Sequence, residues 1–100
     1  MPNISLSIPH ELTQEQATDR IKRNITRART EFAGHISSIE EHWNENVGTL
    51  NIAAKGFTGA ARVTVNPSDV AIEMTVPAIA MMFRSKIEET LKTYVSRMLA

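Results

Sequence analysis

Residues 50–76 read LNIAAKGFTGAARVTVNPSDVAIEMTV. Leu50, Ile52 and Ala54 fall on every second position, as do Ala61, Val63 and Val65, and then Val70, Ile72, Met74 and Val76. Between them stand Asn51, Ala53, Arg62, Thr64, Ala71, Glu73 and Thr75. Successive side chains of a strand point to opposite faces, so a strict period of two predicts one buried and one open face. Asn66-Pro67-Ser68-Asp69 is a turn, with proline presetting φ at its second position. Three runs joined by short turns predict an antiparallel meander.

Upstream, Ile4, Leu6 and Ile8 alternate with Asn3, Ser5 and Ser7 until Pro9, which cannot donate to a ladder. A helix follows. Thr13 and Gln16 have capping-box spacing, and Ala17, Ile21, Ile25, Ala28 and Phe32 share one face. Gly34 is placed to end it in a left-handed conformation. Ile39, Glu41 and Trp43 suggest another strand, with a turn over 44–48 and the next strand from Thr49. Gly56-Phe57-Thr58-Gly59 is read as a connecting loop. Pro77 suits a first helical turn, and Ala80, Phe83, Ile87, Leu91, Tyr94 and Met98 form the core stripe of a second helix. The order is β-α-β-β-β-β-α. It predicts an α+β fold, a five-stranded, mostly antiparallel sheet with both helices packed on one face.

One hundred residues fit a single domain over 1–100. With 42% hydrophobic residues and no net charge, the composition excludes disorder and gives no basic excess for nucleic acid. The absence of cysteine excludes disulfides and thiolate metal sites. Met1 to Glu11 lacks the basic segment of a signal peptide. The uncharged stretch Met74 to Phe83 is far shorter than the ~20 residues of a transmembrane helix. A cytoplasmic protein with no transmembrane segment is expected.

Chemistry is hard to find. Arg20, Lys22, Arg23, Arg27 and Arg29 straddle the buried stripe of the first helix, and Asp19/Arg23 and Arg27/Glu31 have pairing distance, so a solvated flank is the simpler reading. His10, His35 and His42 lack the spacing of a metal site and are expected at the surface. No Gly-Lys-Ser/Thr follows Gly59, which excludes a phosphate loop. Ser5, Ser7, Ser37 and Ser38 lie in no nucleophile elbow. No catalytic, cofactor or metal residue is assigned.

The segment Val76 to Phe83 stands apart. It carries no charge, and Met81 and Met82 fall outside the core stripe. Either Phe57 or Trp43 covers this turn, or it is a contact surface. Ile79, Met81 and Met82, with Phe57 and Trp43, are the candidate interaction residues. The open sheet face, with small Ala53 and Ala71, admits a homodimer.

Ile4-Ser5-Leu6-Ser7-Ile8-Pro9-His10 before Leu12 and a long helix is one part of a family pattern. Trp43, Leu50, Gly56 and Gly59 are another. Val63 to Val76, the apolar elbow, then Phe83, Lys86-Ile87-Glu88 and Leu91 complete it. Together they resemble the polyhydroxyalkanoic acid system family, found in bacteria near polyester-storage genes. The resemblance covers nearly the whole chain. It departs at Ile52, where an aromatic is expected, at Met81-Met82, where leucines are, and in long turns expected at 44–49 and 66–69. It implies no catalytic residue and an accessory role in polyhydroxyalkanoate metabolism or at granules. The first functional expectation is therefore a non-enzymatic accessory or binding protein touching a granule surface or its coat protein. The second, from a different class, is a small-molecule binder or minor enzyme with a pocket between sheet and helices.

Overall fold

The computed structural model describes residues 3–31, 33–34, 36–54 and 57–100, with Phe57 described by its backbone only. Phe32, His35 and Gly56 lie outside the described residues, as does the side chain of Phe57. The elements run β1 (Asn3–Pro9), α1 (Gln14–Glu31), β2 (Ile36–Asn44), β3 (Val47–Ala54), β4 (Phe57–Val65), β5 (Asp69–Thr75), a 3₁₀ turn (Ala78–Phe83) and α2 (Arg84–Met98). The sheet order is β1-β5-β4-β3-β2, and every pairing is antiparallel. β3 to β5 form the meander that the alternation predicts, β2 extends it as the further strand expected around Trp43, and β1 closes onto β5.

The helices lie on one face. Ala17 and Ile21 of α1 and Val95 and Leu99 at the end of α2 share one core with Leu50, Val63, Val65, Val70 and Ile72. Ile4, Ile8, Val65 and Val70 are the most completely buried large side chains. Each such side chain contributes about 1.5–3 kcal/mol of burial. α1 starts from the expected capping box: the Gln16 amide donates to Thr13 Oγ1 at 3.1 Å, and the Thr13 amide to Gln16 Oε1 at 3.2 Å. Two of the orphan donors of the first turn are thereby satisfied. α1 ends at Glu31, but Gly34 takes no left-handed φ, so its glycine character is not what stops the helix.

Three boundaries differ from the sequence reading. β2 and β3 pair from Trp43↔Gly48 through Asn44↔Val47, leaving only Glu45 and Asn46 in the turn. The loop expected over 44–48 is thus a two-residue hairpin. Glu45 takes φ 56°, the positive value that matches a tight turn to strand twist. Phe57, Thr58 and Gly59 are not a loop: β4 begins at Phe57, opposite Ala54. The segment Ala78–Phe83 is 3₁₀, and α2 proper begins at Arg84.

The sheet therefore has two distinct ends. One holds the Glu45-Asn46 turn, Trp43, the 66–69 turn and the start of α1. At the other, Thr75 pairs with Asn3 and Ala60, and the chain leaves through Val76 and Pro77.

Candidate functional site

Pro77, at φ −59°, begins the 3₁₀ turn, and its carbonyl accepts from the Ala80 amide at 2.9 Å. A 3₁₀ turn advances about 120° per residue against about 100° for an α-helix. Over the five steps from Ala78 to Phe83 the difference accumulates to about 100°, enough to rotate a side chain out of the core stripe. Phe83, expected on the core face, is consequently 61% exposed. Met82 is 79% and Ile79 73% exposed, while Met81 is half-buried. Residues three apart eclipse in this geometry, so Ile79 and Met82 stand on the same side. Together with Phe83 they form an uncharged apolar elbow at the Thr75 end of the sheet.

Trp43 lies at the opposite end. Its ring covers Gly48 and its indole N–H donates to Glu41 Oε2 at 2.6 Å. Lys22 Nζ sits 5.2 Å from the ring centroid, a cation–π distance. The structure does not bring Trp43 to the elbow, so it is not Trp43 that covers Met81 and Met82.

A second apolar feature lies between the helices. Arg20 of α1 donates to the carbonyls of Met98, at 3.2 Å, and Ala100, tying the end of α2 to α1. Cations suit a helix C-terminus, where the last carbonyls lack partners. Near this clamp Ala17, Ile21, Val95 and Leu99 are buried. Farther along, Ile25 and Ala28 of α1 and Leu91 and Ile87 of α2 are only half-buried, as are Ile52, Ala61 and Met74 of the sheet beneath. Burial falls away along both helices and the sheet together with distance from the clamp. Between them is an apolar wedge of about 280 Å³, walled by Ile25, Ala28, Ile39, Met74, Leu91 and Met98 among others. No motif announces it. The only sequence signal is that the two stripes are rich in small and flexible residues, Ala17, Ala28 and Met98.

The polar groups are structural. His10 is 8% exposed rather than at the surface. Its amide donates to the Ser68 carbonyl at 3.0 Å, its Nδ1 accepts from the Leu12 amide at 3.1 Å, and its Nε2 lies 2.9 Å from the Asn66 carbonyl. Those partners select the tautomer with hydrogen on Nε2, and they explain the burial: the chain leaving Pro9 passes the β4–β5 turn, whose carbonyls need donors. Ser7 Oγ donates to Asp69 Oδ2 at 2.5 Å and, with help from Asn66, holds this carboxyl below the usual aspartate range. On α1, Arg23 pairs with Asp19 at 2.6 Å, and Arg29 donates to Glu41 at 3.2 Å and to the Ile39 carbonyl at 3.0 Å. The expected Arg27/Glu31 pair is not among the ion pairs of the described residues. Among the described residues no three His, Cys, Asp or Glu side chains could hold a metal, and no helix is long and apolar enough to cross a membrane.

These features define a small α+β protein with two helices on one face of an antiparallel sheet, whose distinctive surfaces are apolar. The family model described as "Putative polyhydroxyalkanoic acid system protein" matches residues 4–99, and the chain belongs to this family. No curated protein matches it. Among solved structures, that of TTHA0849 from Thermus thermophilus is similar over 98% of this chain and 92% of its own, at 10% identity and a TM-score of 0.37, too low to carry an argument.

Proposed function

We propose that this is a non-enzymatic accessory protein that associates with the surface of a polyester granule through its apolar elbow. The observation that carries this reading is the exposure of Ile79, Met82 and Phe83, at 73%, 79% and 61%, on a segment with no charge. Leaving large apolar side chains in water forfeits about 1.5–3 kcal/mol each, which an apolar surface recovers. Methionine adapts to irregular surfaces, including polymeric ones. Membership of the polyhydroxyalkanoic acid system family points to the polyester as the surface.

The test is the double variant Ile79→Glu/Met82→Glu, expressed in a polyester-accumulating cell in place of the wild-type chain. Granule fractionation should recover the wild type with the granules and leave the variant in the supernatant. Protein-free polyester particles, tested in parallel, separate binding to the polymer from binding to its protein coat. A variant that still co-fractionates normally refutes the elbow as the contact. Sedimentation at micromolar concentration examines the competing use of an exposed surface, a homodimer through the open sheet face at Ala53 and Ala71. A species of 11.1 kDa would leave the granule reading without that competitor.

A further inference from the structure

We infer that the wedge between α1 and α2 is a binding site for one aliphatic chain of about nine carbons, gripped through its hydrocarbon alone. The inference is independent of the elbow. Its first support is the chemistry of the wall. Among the described residues, no polar atom faces the space. Asn24, which borders it, donates its amide N–H to the Arg20 carbonyl at 2.8 Å. A buried water needs two to four polar partners, so this space suits hydrocarbon and not water.

Its second support is size. The volume is about 280 Å³. One water needs only about 10–15 Å³ of such space, so there is room for a run of methylene groups. The wall runs along α1 from Ile21 to Ala28, a length of about 10 Å at 1.5 Å per residue. Extended, a linear chain of about nine carbons covers the same distance of about 10 Å. A helix from a second copy, about 10–12 Å across, would need several times this volume.

The third support is the shape of the two ends. Beside the Arg20 clamp on Met98 and Ala100 the wall residues Ile21 and Val95 are buried, and at the other end Ala28 and Leu91 are half-buried, so among the described residues the chain enters at the half-buried end. No charged side chain among the described residues lines the slot, and Arg29 nearby is engaged with Glu41 and the Ile39 carbonyl. The polar head of an acyl ligand therefore stays in water. Met74 and Met98 line opposite walls, one on the sheet and one on α2, and their unbranched side chains can close around chains of slightly different length.

The same methionines report on occupancy. Protein labelled with ¹³C at the methionine methyls is titrated with sodium decanoate, kept below the concentration at which it forms micelles. The methyls of Met74 and Met98 should shift saturably, and that of Met82 on the elbow should not. From hexanoate upward, affinity should rise about fourfold for each added methylene. It should level off near nine or ten carbons, when the slot is full. Ala28→Met and Ala61→Met each fill the slot from a different wall and should weaken decanoate binding at least tenfold without lowering Tm. If one of them fails to fold, the other and the wild-type titration still decide. The elbow variant should bind decanoate as the wild type does, so failure of either proposal is visible without the other. Shifts confined to Met82, no saturable shift at Met74 and Met98, or an affinity indifferent to chain length would overturn the inference.

Discussion

Gly48→Ala is the sharpest test of how β2 and β3 pack. Gly48 is buried, lies opposite Trp43 and takes no left-handed φ, so its backbone does not require glycine. The requirement is steric. A Cβ at this position would lie 2.7 Å from Trp43 Cε2 and Cζ2 and 2.8 Å from Cη2. The ring has little freedom to retreat, because Glu41 holds its N–H at 2.6 Å and Lys22 sits 5.2 Å from its centroid. Overpacking of this kind costs about 1–3 kcal/mol. Exchanging glycine for alanine returns about 0.5–1 kcal/mol through the unfolded chain. The net loss is at most about 2.5 kcal/mol. For a domain of this size, each kcal/mol moves Tm by about 4–8 °C, so a mid-range loss of about 1 kcal/mol should lower Tm by about 4–8 °C. Trp43 is the only tryptophan, and its emission should shift as the ring is displaced. The decisive arm is the double-mutant cycle. In a Trp43→Ala background the clash is gone, and Gly48→Ala should become neutral or stabilising. If Gly48→Ala costs the same in both backgrounds, the ring does not lie on Gly48 and the reasoning fails.

Glu45→Gly should stabilise the protein, because Glu45 holds φ 56° and a side chain in that region costs about 1–2 kcal/mol, partly offset by the extra unfolded-state freedom of glycine. A melting curve should move upward by a few degrees, and a lower Tm would contradict the turn geometry. Ser7→Ala should act through Asp69, whose carboxyl Ser7 holds below its usual range. A depressed folded-state pKa contributes stability that is present above the unfolded-state value and lost as pH falls through the folded-state value. The stability gap between wild type and Ser7→Ala should therefore be widest near neutral pH and narrow below about pH 4, as measured by urea unfolding at both pH values. A gap that widens in acid would reverse the assignment. Ile79→Glu/Met82→Glu should leave Tm within a few degrees of wild type, since both side chains are more than 70% exposed, and a large drop would mean that the elbow belongs to the core.

The residues by themselves determined the five strands, their antiparallel pairing and that both helices pack on one face. Alternation and helical stripes are local patterns, and one buried face per element leaves few ways to combine them. The Thr13/Gln16 capping box was equally legible, because both partners lie within one turn. Packing alone decided the rest. The rotation of Phe83 outward and Met81 inward follows from 3₁₀ winding across Ala78–Phe83, where α- and 3₁₀-turns share the same composition and differ by only about 20° per residue. His10 became buried because the β4–β5 turn, far away in sequence, presents its carbonyls there. Trp43 went to the far end of the sheet through a hairpin tighter than its composition suggested. The wedge could not be read in any stripe. Its walls come from α1, α2 and four strands that meet only in the fold, and the space between elements belongs to the sequence of none of them.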